Sequence, residues 1–146
     1  MGERVVLATI VSEDRRFYEH EGVDLQGIAR ATWADLTSGS AQQGASTLTQ
    51  QFVKNSLAAQ DDRTVFQKLR EAALAYHLEH KWSKQKILDE YLNTVYFGNG
   101  AYGVEGAVRT YFGGADRRYA PDERIANNVT PGQAALLAGM IASPSG

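Results

Sequence analysis

Signals for the start of a helix recur along this chain of 146 residues, and they bear more directly on its fold than any other feature. Asp24, Ser46, Thr64, Ser83 and Thr130 are residue types that cap helix N-termini, because their side-chain oxygens accept hydrogen bonds from first-turn backbone amides. Apolar residues at helical spacing follow each of them. The pattern permits a predominantly α-helical domain.

The apolar residues also predict which helix faces are buried. The run over residues 5–11 suits a short buried helix or a strand, and it would deliver Glu13 at its C-terminal end. Trp33 lies off the apolar stripe that follows Asp24, so it is either a core residue or a membrane-interface residue. In the next three helices, the residues expected to point inward are Leu48, Phe52, Val53 and Leu57, then Phe66, Leu69, Ala73 and Tyr76, then Ile87, Leu88, Tyr91, Leu92 and Val95.

Length and composition exclude several classes of protein. The chain has no cysteine, so disulfides are excluded. Its formal net charge of -2 argues against a nucleic-acid partner, because such partners select basic surfaces. The longest apolar runs, 5–11 and 134–142, are shorter than the roughly 20 residues that cross a bilayer. We therefore expect a single domain without a membrane-spanning helix.

Two polar segments stand out against this helical background. Residues 13–24 hold the densest group of titratable side chains, and residues 44–55 are rich in hydroxyls and amides. In the second segment Thr47, Gln51 and Lys54 recur at helical spacing, which lines them along one side of a helix. Such a row suits contacts with sugars and phosphates. Taken separately, the segments also fit a solvated turn and an ordinary polar helix face.

Together these segments resemble a known enzyme family. The first contributes Glu13, Asp14, Phe17, His20, Gly22 and Asp24, and the second contributes Ser46, Thr47, Thr49, Gln50, Gln51, Lys54 and Asn55. In this order they resemble the first two motifs of the family 51 peptidoglycan glycosyltransferases. These are the transglycosylase modules of bifunctional penicillin-binding proteins and their monofunctional relatives.

Later segments extend the resemblance and also depart from it. Lys68 and Glu71 match the family's third motif, but Gln67 stands where an arginine normally precedes that lysine. Residues 93–103 and 111–113 match the fourth motif, and residues 143–145 resemble the fifth. Gly114 replaces a lysine that usually follows the fourth motif. Each replacement removes a cation from the family pattern.

The two glycines in residues 38–44 predict a mobile loop there. The resemblance implies a lysozyme-like, all-α domain with a small mobile membrane-proximal lobe. It implies that residues 1–146 are one glycosyltransferase domain, truncated at both ends so that a transmembrane anchor and a C-terminal part are missing. The implied catalytic residues are Glu13 and Glu71. The implied substrate-binding residues are Asp14, Phe17, His20, Ser46, Thr47, Gln50, Gln51, Lys54, Asn55 and Lys68.

The implied reaction polymerises lipid II into β-1,4 glycan strands and releases undecaprenyl pyrophosphate. Glu13 would act as general base on the acceptor 4-hydroxyl, in a single inverting displacement. Lys54 and Lys68 would stabilise the charge that accumulates on the departing pyrophosphate. Mg²⁺ or Mn²⁺ is the cofactor that the family suggests, bound with the pyrophosphate and shared with Glu71, because a lone carboxylate makes a weak protein-only site.

The implied partners are lipid II, the growing glycan chain, the membrane surface and an attached transpeptidase domain, with no nucleic acid. The implied location is the extracytoplasmic face of a bacterial cell membrane. Two other interpretations stay open. A lysozyme-like glycan hydrolase also uses a glutamate in a helical cleft, and a non-catalytic lipid-glycan binding module would explain the missing cations at Gln67 and Gly114.

Overall fold

The computed structural model describes residues 2–39, 45–57, 64–113 and 125–142. These residues form seven α-helices, a 3₁₀ turn at Ile125–Asn128 and one isolated β-bridge, which confirms the predicted all-α, lysozyme-like class. The helices are α1 (Glu3–Glu13), α2 (Leu25–Ser38), α3 (Leu48–Ser56), α4 (Val65–Glu79), α5 (Lys84–Thr94), α6 (Gly103–Phe112) and α7 (Pro131–Ala142). Within the described ranges, no helix combines the length and apolar character needed to cross a membrane. Residues 40–44, Gly114 and the fifth-motif residues 143–145 lie outside those ranges.

The chain divides into two compact units, with the boundary inside α5. The first unit comprises Met1–Arg15 and Leu88–Gly146. In it α1 packs against α7, and α6 contacts the 3₁₀ turn. The Arg4 guanidinium ties α1 to the segment before α7 by donating to the Val129 carbonyl at 2.9 Å. Most of the buried apolar side chains belong to this unit, including the predicted inward face of α5 from Leu88 to Val95.

Helix caps follow the predictions at most positions. Asp24 accepts from the Gly27 amide at 3.0 Å, and Ser83 accepts from the Lys86 amide at 3.2 Å. Thr130 exchanges two hydrogen bonds with Gln133, which opens α7 with a complete capping box.

The predicted cap at Ser46 is wrong by one residue. Thr47 is the N-cap of α3, because its hydroxyl accepts from the Gln50 amide at 3.1 Å while the Gln50 side chain accepts from the Thr47 amide at 2.9 Å. Gln50 is the third residue counted from Thr47, so only that register closes the reciprocal box. The Ser46 hydroxyl therefore does not cap α3 and instead accepts a hydrogen bond from Lys68.

The second unit is Arg16–Ile87, in which α3 packs against α4. Here the predicted burial of α4 is wrong: Phe66, Leu69, Ala73 and Tyr76 are exposed, and Glu71 and Ala75 are the buried residues. The interpretation of Trp33 as a core residue is also wrong, since 71% of it is exposed and α2 has no buried residue among its described positions.

In α3 the inward positions Leu48 and Val53 are buried as predicted, whereas Phe52 is half-buried and Leu57 is exposed. Polar side chains share the interior with them, because Thr47, Thr49 and Gln50 are all buried. The second unit therefore places polar groups where the pattern predicts mainly apolar ones.

Candidate active site

The first predicted catalytic residue lies in the first unit. Glu13 is the last residue of α1 and is partly exposed, and the buried Asp14 follows it as the C-cap. The Asp14 amide continues the helical pattern by donating to the Ile10 carbonyl at 2.9 Å. Tyr91 of α5 responds to this charge: burial raises the pKa of its hydroxyl, and the Glu13 carboxylate raises it further. A protonated phenol is therefore held within the electrostatic reach of Glu13.

The first-motif loop, residues 16–24, begins the second unit and is tied down by buried side chains. Phe17 and His20 are both buried and meet edge to face, with ring centroids 5.9 Å apart. The Gly22 amide donates to His20 Nδ1 at 3.1 Å, so Nδ1 is an acceptor and the proton of a neutral ring lies on Nε2. The Thr47 hydroxyl donates to the Gly22 carbonyl at 2.6 Å, which joins the loop to the start of α3.

A second group, the Lys68 cluster, consists of Ser46, Lys68 and Glu71. The Lys68 ammonium donates to the Ser46 hydroxyl at 2.5 Å and lies 3.9 Å from the Glu71 carboxylate. Glu71 is only 5% exposed, whereas the Lys68 side chain is 56% exposed. A buried carboxylate and a hydroxyl thus orient a cation whose other face meets solvent. This arrangement suits the binding of an anion.

The structure brings together some of the predicted site residues and not others. Ser46, Lys68 and Glu71 form one cluster, and Phe17, His20, Thr47 and Gln50 share the interior around the first-motif loop. Gln51 is half-buried, and Lys54 and Asn55 are exposed on α3. Within the described residues, no hydrogen bond or ion pair joins Lys54 or Asn55 to the Lys68 cluster. The substrate roles of all these residues stay predictions.

Sequence reasoning missed a buried network around Glu79. The Thr49 hydroxyl donates to Glu79 Oε1 at 2.6 Å, and the Lys84 ammonium lies 2.6 Å from Oε2. Lys84 also donates to the His20 carbonyl at 2.5 Å. The Thr49 and Glu79 positions are 30 residues apart, and His20 and Lys84 are 64 apart. No local pattern joins residues at such separations, so only the fold reveals the network.

Among the described residues, no group of three or more His, Cys, Asp or Glu side chains is arranged to hold a metal ion. Glu71 offers one carboxylate beside the Lys68 ammonium. Mg²⁺ is commonly held by one or two carboxylates together with substrate phosphates. The residues present therefore fit a divalent cation only when phosphate oxygens supply most of its ligands.

Comparison with known proteins agrees with the motifs. The family model described as transglycosylase matches residues 1–146. The chain is 44% identical over 146 residues to penicillin-binding protein 2D of Bacillus subtilis, and it is 42% and 40% identical to the penicillin-binding proteins 1A of Vibrio cholerae and Haemophilus influenzae. These alignments include 98–100% of the chain, but the chain spans only 16–20% of the length of each relative. The chain belongs to the transglycosylase family, the peptidoglycan glycosyltransferase class that its motifs predicted.

Proposed function

We propose that this chain polymerises lipid II into β-1,4 glycan strands and releases undecaprenyl pyrophosphate. The observation that carries the proposal is the Lys68 cluster, in which Ser46 of the second motif meets Lys68 and Glu71 of the third. A buried carboxylate is costly unless it has a partner, so a helix that keeps one beside a solvent-facing lysine has a use for an oriented cation. Membership of the transglycosylase family supports the same reaction.

Glu13 is the proposed general base. It takes the proton from the 4-hydroxyl of the incoming disaccharide unit, and the hydroxyl oxygen attacks the anomeric carbon of the growing chain. The bond from that carbon to the pyrophosphate oxygen breaks, so an α-linked donor yields a β-1,4 linkage. Tyr91 lies close enough for the Glu13 carboxylate to raise the pKa of its hydroxyl, so a neutral phenol lies within the electrostatic reach of the proposed base.

The Lys68 cluster is the proposed site for the departing pyrophosphate. Negative charge builds on that group in the transition state, and an ammonium already held by Ser46 and Glu71 needs little reorganisation to meet it. Lys54, exposed on α3, is a further cation for the same group. Arg70 is exposed beside Glu71 and is available to offset the arginine that Gln67 replaces.

A divalent cation, Mg²⁺ or Mn²⁺, would neutralise pyrophosphate charge when it arrives with the substrate. Glu71 would be its ligand from this chain, and phosphate oxygens would complete its coordination. The Lys68 ammonium would supply the protein's own positive charge beside this cation.

The proposed partners include a membrane surface on the extracytoplasmic side of a bacterial cell. Large apolar side chains exposed in the second unit support this, among them Leu25, Trp33 and Leu36 of α2 and Val65 and Phe66 of α4. Large exposed apolar side chains that occur together, rather than scattered singly, are typical of membrane or protein contacts. The penicillin-binding proteins that the chain matches are several times longer than it, which leaves room for an attached transpeptidase domain.

The test is polymerisation of purified lipid II by the parent chain and three variants, with glycan length and released undecaprenyl pyrophosphate both measured. Glu13→Gln should lower the rate by about a hundredfold or more, because it removes the general base. Glu71→Gln should lower it by about tenfold or more, because it releases the Lys68 ammonium. Glu21→Gln, at an exposed carboxylate of the first-motif loop, is the matched control and should stay within about twofold of the parent.

Other outcomes identify other functions. Lipid II binding without polymer, with or without Mg²⁺, would contradict the proposal and favour a non-catalytic binding module. Release of short saccharides from preformed glycan would favour a hydrolase. A Glu13→Gln variant as active as the parent would remove Glu13 from the role of base.

A further inference from the structure

A buried ion pair lies beside the first-motif loop and outside the predicted site residues. Its members are Glu79, the last residue of α4, and Lys84, the first residue of α5. The Lys84 ammonium is 2.6 Å from Glu79 Oε2. The Lys84 side chain is 23% exposed and the Glu79 side chain is 4% exposed. Removing one partner of such a pair leaves an uncompensated buried charge. The pair therefore links the last residue of α4 to the first residue of α5.

Each carboxylate oxygen of Glu79 has its own partner. Oε2 receives Lys84, and Oε1 accepts from the Thr49 hydroxyl of α3 at 2.6 Å. His20 Nδ1 lies 3.7 Å from Oε1, but that nitrogen already accepts from the Gly22 amide. The carboxylate thus bonds one residue of α3 and one of α5 and contacts the first-motif loop.

The Lys84 ammonium also makes two contacts with the first-motif loop. It donates to the His20 carbonyl at 2.5 Å and lies 4.5 Å from the centroid of the buried Phe17 ring. A cation that faces an aromatic ring and a carbonyl while paired with a carboxylate has a single preferred position. Phe17 and His20 are consequently fastened to Glu79 through Lys84.

These contacts reach the proposed pyrophosphate site through α3. Thr49 bonds Glu79, and Thr47 bonds the Gly22 carbonyl of the loop, so the first turn of α3 is held at two points. Ser46 immediately precedes that turn and accepts from Lys68. A shift of α3 would therefore move the hydroxyl that orients the Lys68 ammonium.

We propose that Lys84 and Glu79 are positioning residues for the pyrophosphate site, which they keep in shape by locking the first-motif loop to the first turn of α3. The inference rests on the proposed function, and it assigns no contact between the pair and the substrate. A misplacement of about 1 Å, even one caused by a residue far from the chemistry, can cost about a hundredfold in rate.

The experiment compares the parent with Lys84→Met, Lys84→Arg, Glu79→Gln and a control. Lys84→Met should raise the KM for lipid II by about tenfold, and Lys84→Arg, which keeps the charge and the donors, should recover to within about threefold of the parent. A lower folded fraction reduces kcat but leaves KM unchanged, so the KM change separates positioning from stability. Glu79→Gln keeps the side chain's size and an acceptor for Thr49, and it carries the test if Lys84→Met fails to fold.

The control is Glu105→Gln, which weakens a carboxylate that accepts from the Ala126 amide at 3.1 Å in the first unit. It should lower the thermal unfolding temperature without changing KM. All assays are run at a temperature at which each variant is folded. If Lys84→Met and Glu79→Gln also leave KM unchanged, the pair is merely structural and the inference is overturned.

A second measurement separates this inference from the proposed function. The Kd of inorganic pyrophosphate, with Mg²⁺ present, is measured for the same variants and requires no turnover. If the parent makes no polymer but Lys84→Met weakens pyrophosphate binding by about tenfold, the proposed function fails and the positioning role stands. If the parent polymerises lipid II and no variant changes this Kd or KM, the proposed function stands and the positioning role fails.

Discussion

Replacing Gly22 by alanine should strongly destabilise the protein. Gly22 has φ +92°, a conformation that L-residues rarely adopt, and an added Cβ would lie 2.6 Å from the Ala75 carbonyl carbon and oxygen. A left-handed backbone costs an alanine about 1–2 kcal/mol, and forcing α4 away from the new methyl group adds about 1–3 kcal/mol. We therefore expect the free energy of unfolding to fall by about 2–5 kcal/mol.

Gly39→Ala is the matched control for this prediction. Gly39 also has a positive φ, +67°, but no atom of the described residues lies within 4 Å of its added Cβ. It should lose only the backbone contribution of about 1–2 kcal/mol. The difference between the two variants therefore measures the close approach of the first-motif loop to α4.

Both free energies are measured by urea unfolding followed by far-UV circular dichroism, with equal m-values required for the comparison. The Gly22 carbonyl also accepts from Thr47, so displacement of the loop should reach α3 and lower lipid II polymerisation as well. Unfolding free energies that agree within about 0.5 kcal/mol would refute the reasoning, because the steric contribution would then be absent.

Three further predictions follow from single side chains. Burial and the Glu13 carboxylate raise the pKa of Tyr91 in the folded protein. The contribution of Tyr91 to the free energy of unfolding is therefore complete below about pH 10 and declines at higher pH, by up to about 1.4 kcal/mol per pH unit. Tyr91→Phe should flatten this alkaline decline in urea unfolding, and an unchanged slope would contradict the prediction. Thr49→Val removes the donor to a buried carboxylate and should cost about 1–3 kcal/mol, whereas Thr94→Val, at an exposed helical position, should cost well under 1 kcal/mol. Trp33→Gln should change unfolding free energy by less than about 0.5 kcal/mol yet reduce sedimentation with lipid vesicles, and undiminished sedimentation would exclude Trp33 from membrane contact.

Helix starts were predictable because capping is decided within four residues. Asp24, Ser83 and Thr130 cap the helices they were expected to cap. Ser46 and Thr47 are adjacent hydroxyls with equal capping chemistry, and the reciprocal bond from Gln50 selects the second. The error of one residue was consequential, because the prediction assigned the Ser46 hydroxyl to the helix cap, whereas in the structure that hydroxyl accepts from Lys68.

The motifs predicted which residues form the Lys68 cluster but not how they are arranged. The motifs named Ser46, Lys68 and Glu71, and these residues do meet. The motifs could not show that Glu71 is buried or that Lys84 and Glu79 fasten the loop, because both facts depend on how helices pack. Local sequence fixes capping hydrogen bonds, whereas burial of a polar side chain depends on partners far along the chain.

The burial prediction failed for the apolar stripe of α4, as it did for Trp33 of α2. The expected stripe of Phe66, Leu69 and Tyr76 is centred about 160° around the helix from Glu71 and Ala75, so the interior lies on nearly the opposite face. The rule that the apolar face of a helix is buried assumes that water is the only medium outside the protein. Leaving a large apolar side chain in water forgoes about 1.5–3 kcal/mol relative to burying it.

Across the second unit the usual pattern is inverted, with polar side chains buried and large apolar side chains exposed. Six of the eight buried polar side chains among the described residues belong to it, as do eleven of the sixteen exposed large hydrophobic ones. A unit that puts hydroxyls and carboxylates inside must satisfy them with hydrogen bonds, which the Glu79 network and the Thr47 box provide. Its apolar exterior gains free energy only against a second apolar surface. The second unit therefore combines buried, hydrogen-bonded polar groups with an exposed apolar exterior, and the proposed lipid-linked pyrophosphate substrate would use both, the polar groups to shape the anion site and the apolar exterior to meet the membrane.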